Sequence, residues 1–464
     1  MKQFLVIFLF FFLPGVNLFG KIILPSVFAD NMVLQQNSDV AIWGWSRAGE
    51  TIKIVCSWNS NDTIKVKADN TSAWKTTIRT ISAGGPYTIG IFGSSNLLLR
   101  NVMLGEVWIC SGQSNMECTI DWKITNGEEE AVKANNPNIR IFHVERIGAE
   151  FPQQTCHATW TVCSPETMRS TSAIGYFFAK TLQYTLNIPV GIIVSAWGST
   201  PAEVWIEKSR IENNPKLNSD KYKYHSEWAP EKPGTLYNSM IAPISPFGIS
   251  GAIWYQGETN RCNYQIYSQL MKTLIENWRS DFKKDFPFYM VQIAPYDYGG
   301  NGKSEYIREQ QDIVAKTVPN TGLIVISDLV DDIKEVHPKN KIDVGKRLAN
   351  YALAEIYKQN LGGYKSPSFE SMVIEKDKIR ITFSNAGTGL KCTGSTSLKF
   401  LISGDDHHFI PAVATIKGNI AILSSKLVNN PVAVRFCFDD ASLPDVFSAE
   451  GLPLAPFRTD TWEK

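Results

Sequence analysis

The chain lacks the features that would place it in several large functional classes. It has no Cys-x-x-Cys and no His-Glu-x-x-His, and its six histidines are scattered apart from the pair His407-His408. A structural or catalytic metal is therefore not expected, because such sites draw on closely spaced Cys and His ligands. An excess of charge of one sign is missing too: 46 Lys and Arg stand against 45 Asp and Glu, a net charge of +1. Without a basic footprint, nucleic acid and anionic membrane surfaces are not expected partners. Beyond the N-terminus no apolar run approaches the ~20 residues of a spanning helix. No internal repeat or low-complexity linker is present, so the domains are expected to pack closely.

At the N-terminus, Met1-Lys2-Gln3 precedes an apolar run over 4–13 that Pro14-Gly15 breaks. A basic start and a short apolar stretch predict a secretory signal peptide over residues 1–20. Export to a periplasmic, extracellular or lysosomal-type compartment follows, with no membrane span once the signal is removed. Eight cysteines are present. An even number permits disulfides in an exported protein. Cys156 with Cys163, and Cys392 with Cys437, are the expected pairs because each lies within one segment. Cys110, on an apolar strand, is expected to be a free core residue.

A length of 464 residues exceeds one ordinary core, so two or three domains are expected. Residues 21–103 show short β-type runs such as Val40-Ala41-Ile42-Trp43 between turn clusters, which predicts a small β-sandwich-like domain. Over 104–362 the pattern changes. Apolar strands expected at 106–110, 139–143, 190–197, 250–255, 288–293 and 322–327 alternate with helices expected at 173–186, 264–278, 306–318 and 344–357. Near-continuous apolar strands joined by helices predict an α/β domain with a parallel sheet buried on both faces. From 363 to 464 the β signature returns, with a hairpin turn at Lys417-Gly418-Asn419. The 13 tryptophans suit both sugar-stacking surfaces and β-domain cores.

Four segments carry chemistry. Val107-Trp108-Ile109-Cys110 ends in Ser111-Gly112-Gln113-Ser114-Asn115, which places Ser114 where a buried strand turns. The second is Ser195-Ala196-Trp197-Gly198, the third Trp254-Tyr255-Gln256-Gly257-Glu258, and the fourth Glu335-Val336-His337-Pro338. Each sits at or beyond an expected strand end, the edge where α/β sheets present reactive groups. Taken singly, each has a plainer explanation: an N-cap serine, a tight-turn glycine, a turn-stabilising amide, a solvated histidine. Taken together they supply what acyl transfer needs. A serine hydroxyl requires an adjacent base, and the developing oxyanion requires fixed donors.

Gly112-Gln113-Ser114-Asn115, Trp254-Tyr255-Gln256-Gly257-Glu258 and His337-Pro338-Lys339-Asn340-Lys341 resemble the blocks of the sialate O-acetylesterase family within the SGNH hydrolases. Trp197-Gly198-Ser199-Thr200-Pro201-Ala202-Glu203, Arg308-Glu309-Gln310-Gln311 and segments near both ends extend the similarity over almost the whole chain after residue 20. The resemblance implies a flavodoxin-like catalytic domain flanked by N- and C-terminal β-domains. It implies Ser114 as nucleophile and His337 as general base. The N–H groups of Ser114 and Gly198 and the side chain of Gln256 would form the oxyanion hole, and Glu335 would orient His337. The family commonly has Asp where this chain has Glu335, so Asp331, Asp332 or a backbone carbonyl stay open for that role. Glu258 could brace its loop or touch substrate. The implied activity is acetyl-ester hydrolysis on O-acetylated sialic acids or other glycans, with no cofactor. A glycan-binding protein with a decayed hydrolase site, and an esterase acting on a lipid or thioester, are the other readings. Oligomeric state is not set by the sequence.

Overall fold

The computed structural model describes residues 20–217, 226–300, 302–394 and 397–462. The expected signal peptide falls on residues outside these, apart from Gly20. The scaffold is a central sheet of seven strands: β1 (Asn96–Gly112), β2 (Asn136–His143), β3 (Trp160–Cys163), β4 (Val190–Ala196), β5 (Gly251–Tyr255), β6 (Phe288–Val291) and β7 (Thr321–Ile324). Their order is β7-β6-β5-β1-β4-β2-β3, parallel throughout except for β3, which runs antiparallel to β2 at the edge. Every residue of β4 and β5 is buried. Such strands need helices on both faces. Helix α1 (Ala173–Leu186) packs against α4 (Lys341–Glu355), and α2 (Tyr267–Phe282) against α3 (Ser304–Thr317). Ser172 caps α1 by accepting from the Gly175 N–H at 3.0 Å, and Asn340 caps α4 through the Asp343 N–H at 3.0 Å.

Two registers set the site. Beside β1, β4 pairs Val190 with Glu106 through to Ala196 with Gly112. On the other side β5 pairs Gly251 with Trp108 through to Tyr255 with Gly112. Gly112, Ala196 and Tyr255 therefore lie level at the carboxyl edge. Gly112 has φ +140°, and a Cβ there would lie 2.1 Å from the Tyr255 carbonyl oxygen, so only glycine fits between the two strands.

The expected helices and parallel strands are all present, the helix at 173–186 with its expected ends and the other elements with shifted ones. The second helix starts at Tyr267 because 258–266 is a 3-10 stretch interrupted at Asn263. The expected strand at 106–110 is the second half of a longer one. Over residues 96–104, β1 pairs antiparallel with Gly84–Phe92 in the N-terminal sheet before entering the central one. That N-terminal region adds strands Thr51–Cys56 and Thr63–Lys67 and a separate pair, Asp39–Trp45 with Ala73–Arg79. Its buried side chains, including Ile42, Ile54, Trp74 and Ile91, join one continuous core with the central domain.

The C-terminal strands enclose a second core around Ile381, Phe400, Leu423 and Phe436. The expected hairpin is formed, with Lys417 paired to Ile420 and Gly418 at φ +60°. This region is fastened to the central domain by charge. Asp440 accepts from the Gly302 and Ser304 N–H groups at the start of α3, and Arg458 holds Glu309 on the same helix at 2.7 Å. The two expected disulfides are not formed; all eight cysteines are free. Their thiols meet different neighbours: Cys163 the Ala134 carbonyl, Cys156 the Ser26 hydroxyl, Cys437 the Leu443 carbonyl. Cys110 is buried and free, as expected.

Arg435 and Asp460 form an ion pair at 2.7 Å with side chains 8% and 1% exposed. Removing one partner leaves the other charge buried and uncompensated. Asp460→Ala should therefore lower stability by about 3–5 kcal/mol, read as a fall in denaturant midpoint at unchanged slope.

Candidate active site

Ser114 opens a one-turn helix, Ser114–Glu117, directly after β1. At the first helical position its N–H has no intrahelical acceptor. Its hydroxyl lies 2.9 Å from His337 Nε2. These two residues are 223 positions apart and meet because β1 and the segment after β7 end on the same edge. Trp122 packs edge-on against the imidazole, ring centroids 4.9 Å apart. The Thr125 N–H donates to the Lys339 carbonyl at 3.0 Å, tying the 118–126 loop to the histidine loop.

Glu335 takes the other side of the ring. Its Oε1 lies 3.6 Å from His337 Nδ1, ion-pair range and longer than a hydrogen bond. The same oxygen accepts from the His337 backbone N–H at 3.0 Å, and Oε2 pairs with Lys339 at 3.1 Å. Burial pushes the Glu335 carboxyl up, but the His337 N–H and Lys339 outweigh it and leave it below the ordinary carboxylate range. Asp331 and Asp332 are exposed, and Asp332 accepts from the Lys334 N–H instead. For His337, burial and then Lys341 hold the imidazole below its usual value, against an upward pull from Glu335. In the tautomer with its proton on Nδ1, the neutral ring presents Nε2 as an acceptor toward the Ser114 hydroxyl.

Gly198 reaches the same point from the end of β4. A Cβ on it would lie 3.2 Å from Ser114 Cβ, a close approach that glycine permits. Its N–H is engaged: it donates to Glu117 Oε2 at 2.6 Å, while Glu117 Oε1 pairs with Arg146 at 2.6 Å. Gln256 departs from expectation. It is fully buried, and its amide nitrogen donates to Asn260 Oδ1 at 2.7 Å and to the Thr200 carbonyl at 3.2 Å. Tyr267 donates to its amide oxygen at 3.0 Å. With its hydrogens committed inward, Gln256 braces the β5 and Gly198 loops and offers no donor to the crevice.

Several site residues drew no role from the sequence. Glu117 is three positions past Ser114, where one helical turn returns it to the same face. Asn115 donates to Glu258 Oε1 at 2.7 Å and to the Val336 carbonyl at 3.1 Å, and accepts from Lys341 Nζ at 2.6 Å. Glu258 thus braces the Ser114 turn. Asn115 and Lys341 lie inside the quoted motifs, but nothing in one sequence signals that their side chains meet. Among the described residues no cluster of His, Cys, Asp and Glu could hold a metal.

The model of a carbohydrate esterase family, the sialic acid-specific acetylesterases, matches residues 104–354. Human sialate O-acetylesterase is 30% identical over 385 residues, covering 75% of this chain and 72% of its own length. The mouse sialate O-acetylesterase is 28% identical over 416 residues. A crystal structure of a carbohydrate acetylesterase from Xanthomonas citri superposes with a TM-score of 0.86 at 34% identity, covering 95% of this chain and all of that one. The chain belongs to the sialic acid-specific acetylesterase family of carbohydrate esterases and is a hydrolase of ester bonds.

Proposed function

We propose that this protein is a carbohydrate O-acetylesterase that removes acetyl groups from sialic acids or other O-acetylated glycans through a serine acetyl-enzyme. The observation that carries the mechanism is the 2.9 Å contact between Ser114 Oγ and His337 Nε2 at the carboxyl edge of the sheet. Ser114 Oγ attacks the acetyl carbonyl carbon while Nε2 takes its proton. The imidazolium then protonates the departing sugar oxygen. Water, deprotonated by the same nitrogen, releases acetate and restores the serine. Glu335 is the carboxylate nearest Nδ1 and stabilises the imidazolium across its longer contact. None of these steps uses a metal or organic cofactor.

The Ser114 and Gly198 N–H groups are the oxyanion donors in this reading. Glu117 must leave the Gly198 N–H before a carbonyl oxygen can take its place. Without β2 and β3, the strands follow the order 2-1-3-4-5 counted from β1, which supports a flavodoxin-like, SGNH-type domain over 104–362. Residues 21–103 and 363–464 are read as its flanking β-domains. The 1–20 segment supports export, and no helix among the described residues is long and apolar enough to cross a membrane. A glycan-binding role with a decayed site gains no support from a hydroxyl and imidazole at hydrogen-bond distance.

Ser114→Ala should cut release of acetate from 4-nitrophenyl acetate by roughly 10⁴-fold or more, and abolish fluorophosphonate labelling. Equal rates in the two proteins would remove Ser114 from the mechanism. The pH profile is a second check. The base must be neutral, and its value in the folded protein is held below the ordinary 6.5. The kcat/KM of the native enzyme should therefore reach half its plateau below that pH and fall about tenfold per unit under it. A midpoint above the ordinary histidine value would contradict the assignment of His337.

A further inference from the structure

Lys341 stands where general rules disfavour a lysine. It is the first residue of α4, where the helix dipole repels a cation, and it is 1% exposed. Burial pulls its ammonium down to about 8, with the Cys118 thiol and Glu258 pulling the other way. A buried polar group that breaks two local rules at once points to a use beyond stability. Its Nζ donates to Asn115 Oδ1 at 2.6 Å, and it lies 5.6 Å from the centre of the Tyr255 ring. The same Asn115 amide reaches Glu258 on the β5 loop and the Val336 carbonyl beside His337. Glu258 is also buried, its carboxyl pushed up by burial, and its Oε2 makes no hydrogen bond among the described residues.

We propose that Lys341 is a positioning residue for ester hydrolysis: its buried ammonium, seated on Asn115, locks the Ser114 turn to the His337 loop and sets a fixed positive charge behind the imidazole. This rests on the serine-hydrolase reading above. The charged groups acting on the ring are Lys341 and Lys339, which oppose its protonation, and Glu335, which favours it. Glu258 and Cys118 act on Lys341 in turn, and the uncharged Trp122 covers one edge of the ring. Lys339 is half exposed and tied to Glu335, so solvent and its own partner blunt its field. Below its own titration near 8, Lys341 has neither solvent nor, among the described residues, a directly bonded carboxylate to screen it, so its charge is the less blunted of the two.

The test is the pH dependence of kcat/KM on 4-nitrophenyl acetate. In Lys341→Met the acidic limb should move upward by roughly half a unit or more, with a loss of kcat at the plateau. A purely structural lysine would lower the plateau and leave the limb in place, and that result overturns the proposal. Because Lys341→Met leaves Glu258 buried alone, the double variant Lys341→Met/Glu258→Gln removes both charges and should show the same upward limb. Should neither variant fold, the native protein decides. The His337 imidazole resonance, assigned by its absence in His337→Asn, should show a second inflection near pH 8 as Lys341 discharges. A single inflection overturns the proposal. Ser114→Ala separates the two readings: if it keeps full activity, the hydrolase mechanism fails, whereas an inactive Ser114→Ala with an unmoved limb in folded Lys341 variants refutes only the role of Lys341.

Discussion

The pairing register of β4 and β5 on β1 is the constraint on which the rest depends. Three strands end level at Gly112, Ala196 and Tyr255, and each chain then leaves the sheet within two residues of the others. Ser114, Gly198 and the Glu258 loop meet for that reason alone. A slip of one residue in either ladder would reverse every side chain of a fully buried strand, so the apolar core enforces the register. Gly112 adds a local lock, because any side chain there would strike the Tyr255 carbonyl.

Much of this was legible in the sequence because buried parallel strands and amphipathic helices write strong periodic patterns. Helix 173–186 was read to the residue, and the strands at 190 and 250 to within one. The meeting of Ser114 and His337, 2.9 Å apart, was legible through their motifs. Missed features share a physical cause: they depend on what a side chain meets across space. Gln256 lies at a strand end like a crevice donor, yet Asn260 and Thr200 take its hydrogens. Each expected cysteine pair lies within one segment, but their thiols face separate neighbours. The short edge strand β3 has only four residues, too few for a periodic signal.

The site is polar well below its surface. Asn115 joins three loops through one amide, and the ionisable groups it bridges, Lys341 and Glu258, are both buried. At the rim the arrangement differs: Arg146, Glu117 and the Gly198 N–H form a chain of exchangeable contacts near solvent. Fixed polarity behind and replaceable polarity in front suit a centre that must hold its geometry while admitting a substrate oxygen.

The length of β1 has its own consequence. Seventeen residues run unbroken from a pairing with the N-terminal sheet to the turn that bears the serine. No flexible seam separates the two regions, and the change of sequence pattern near residue 103 falls inside the strand. The N-terminal region is thus no detachable accessory. A graft or truncation there would sever the hydrogen-bonded rod that carries the Ser114 hydroxyl, so the two halves must be inherited, swapped or engineered as one piece.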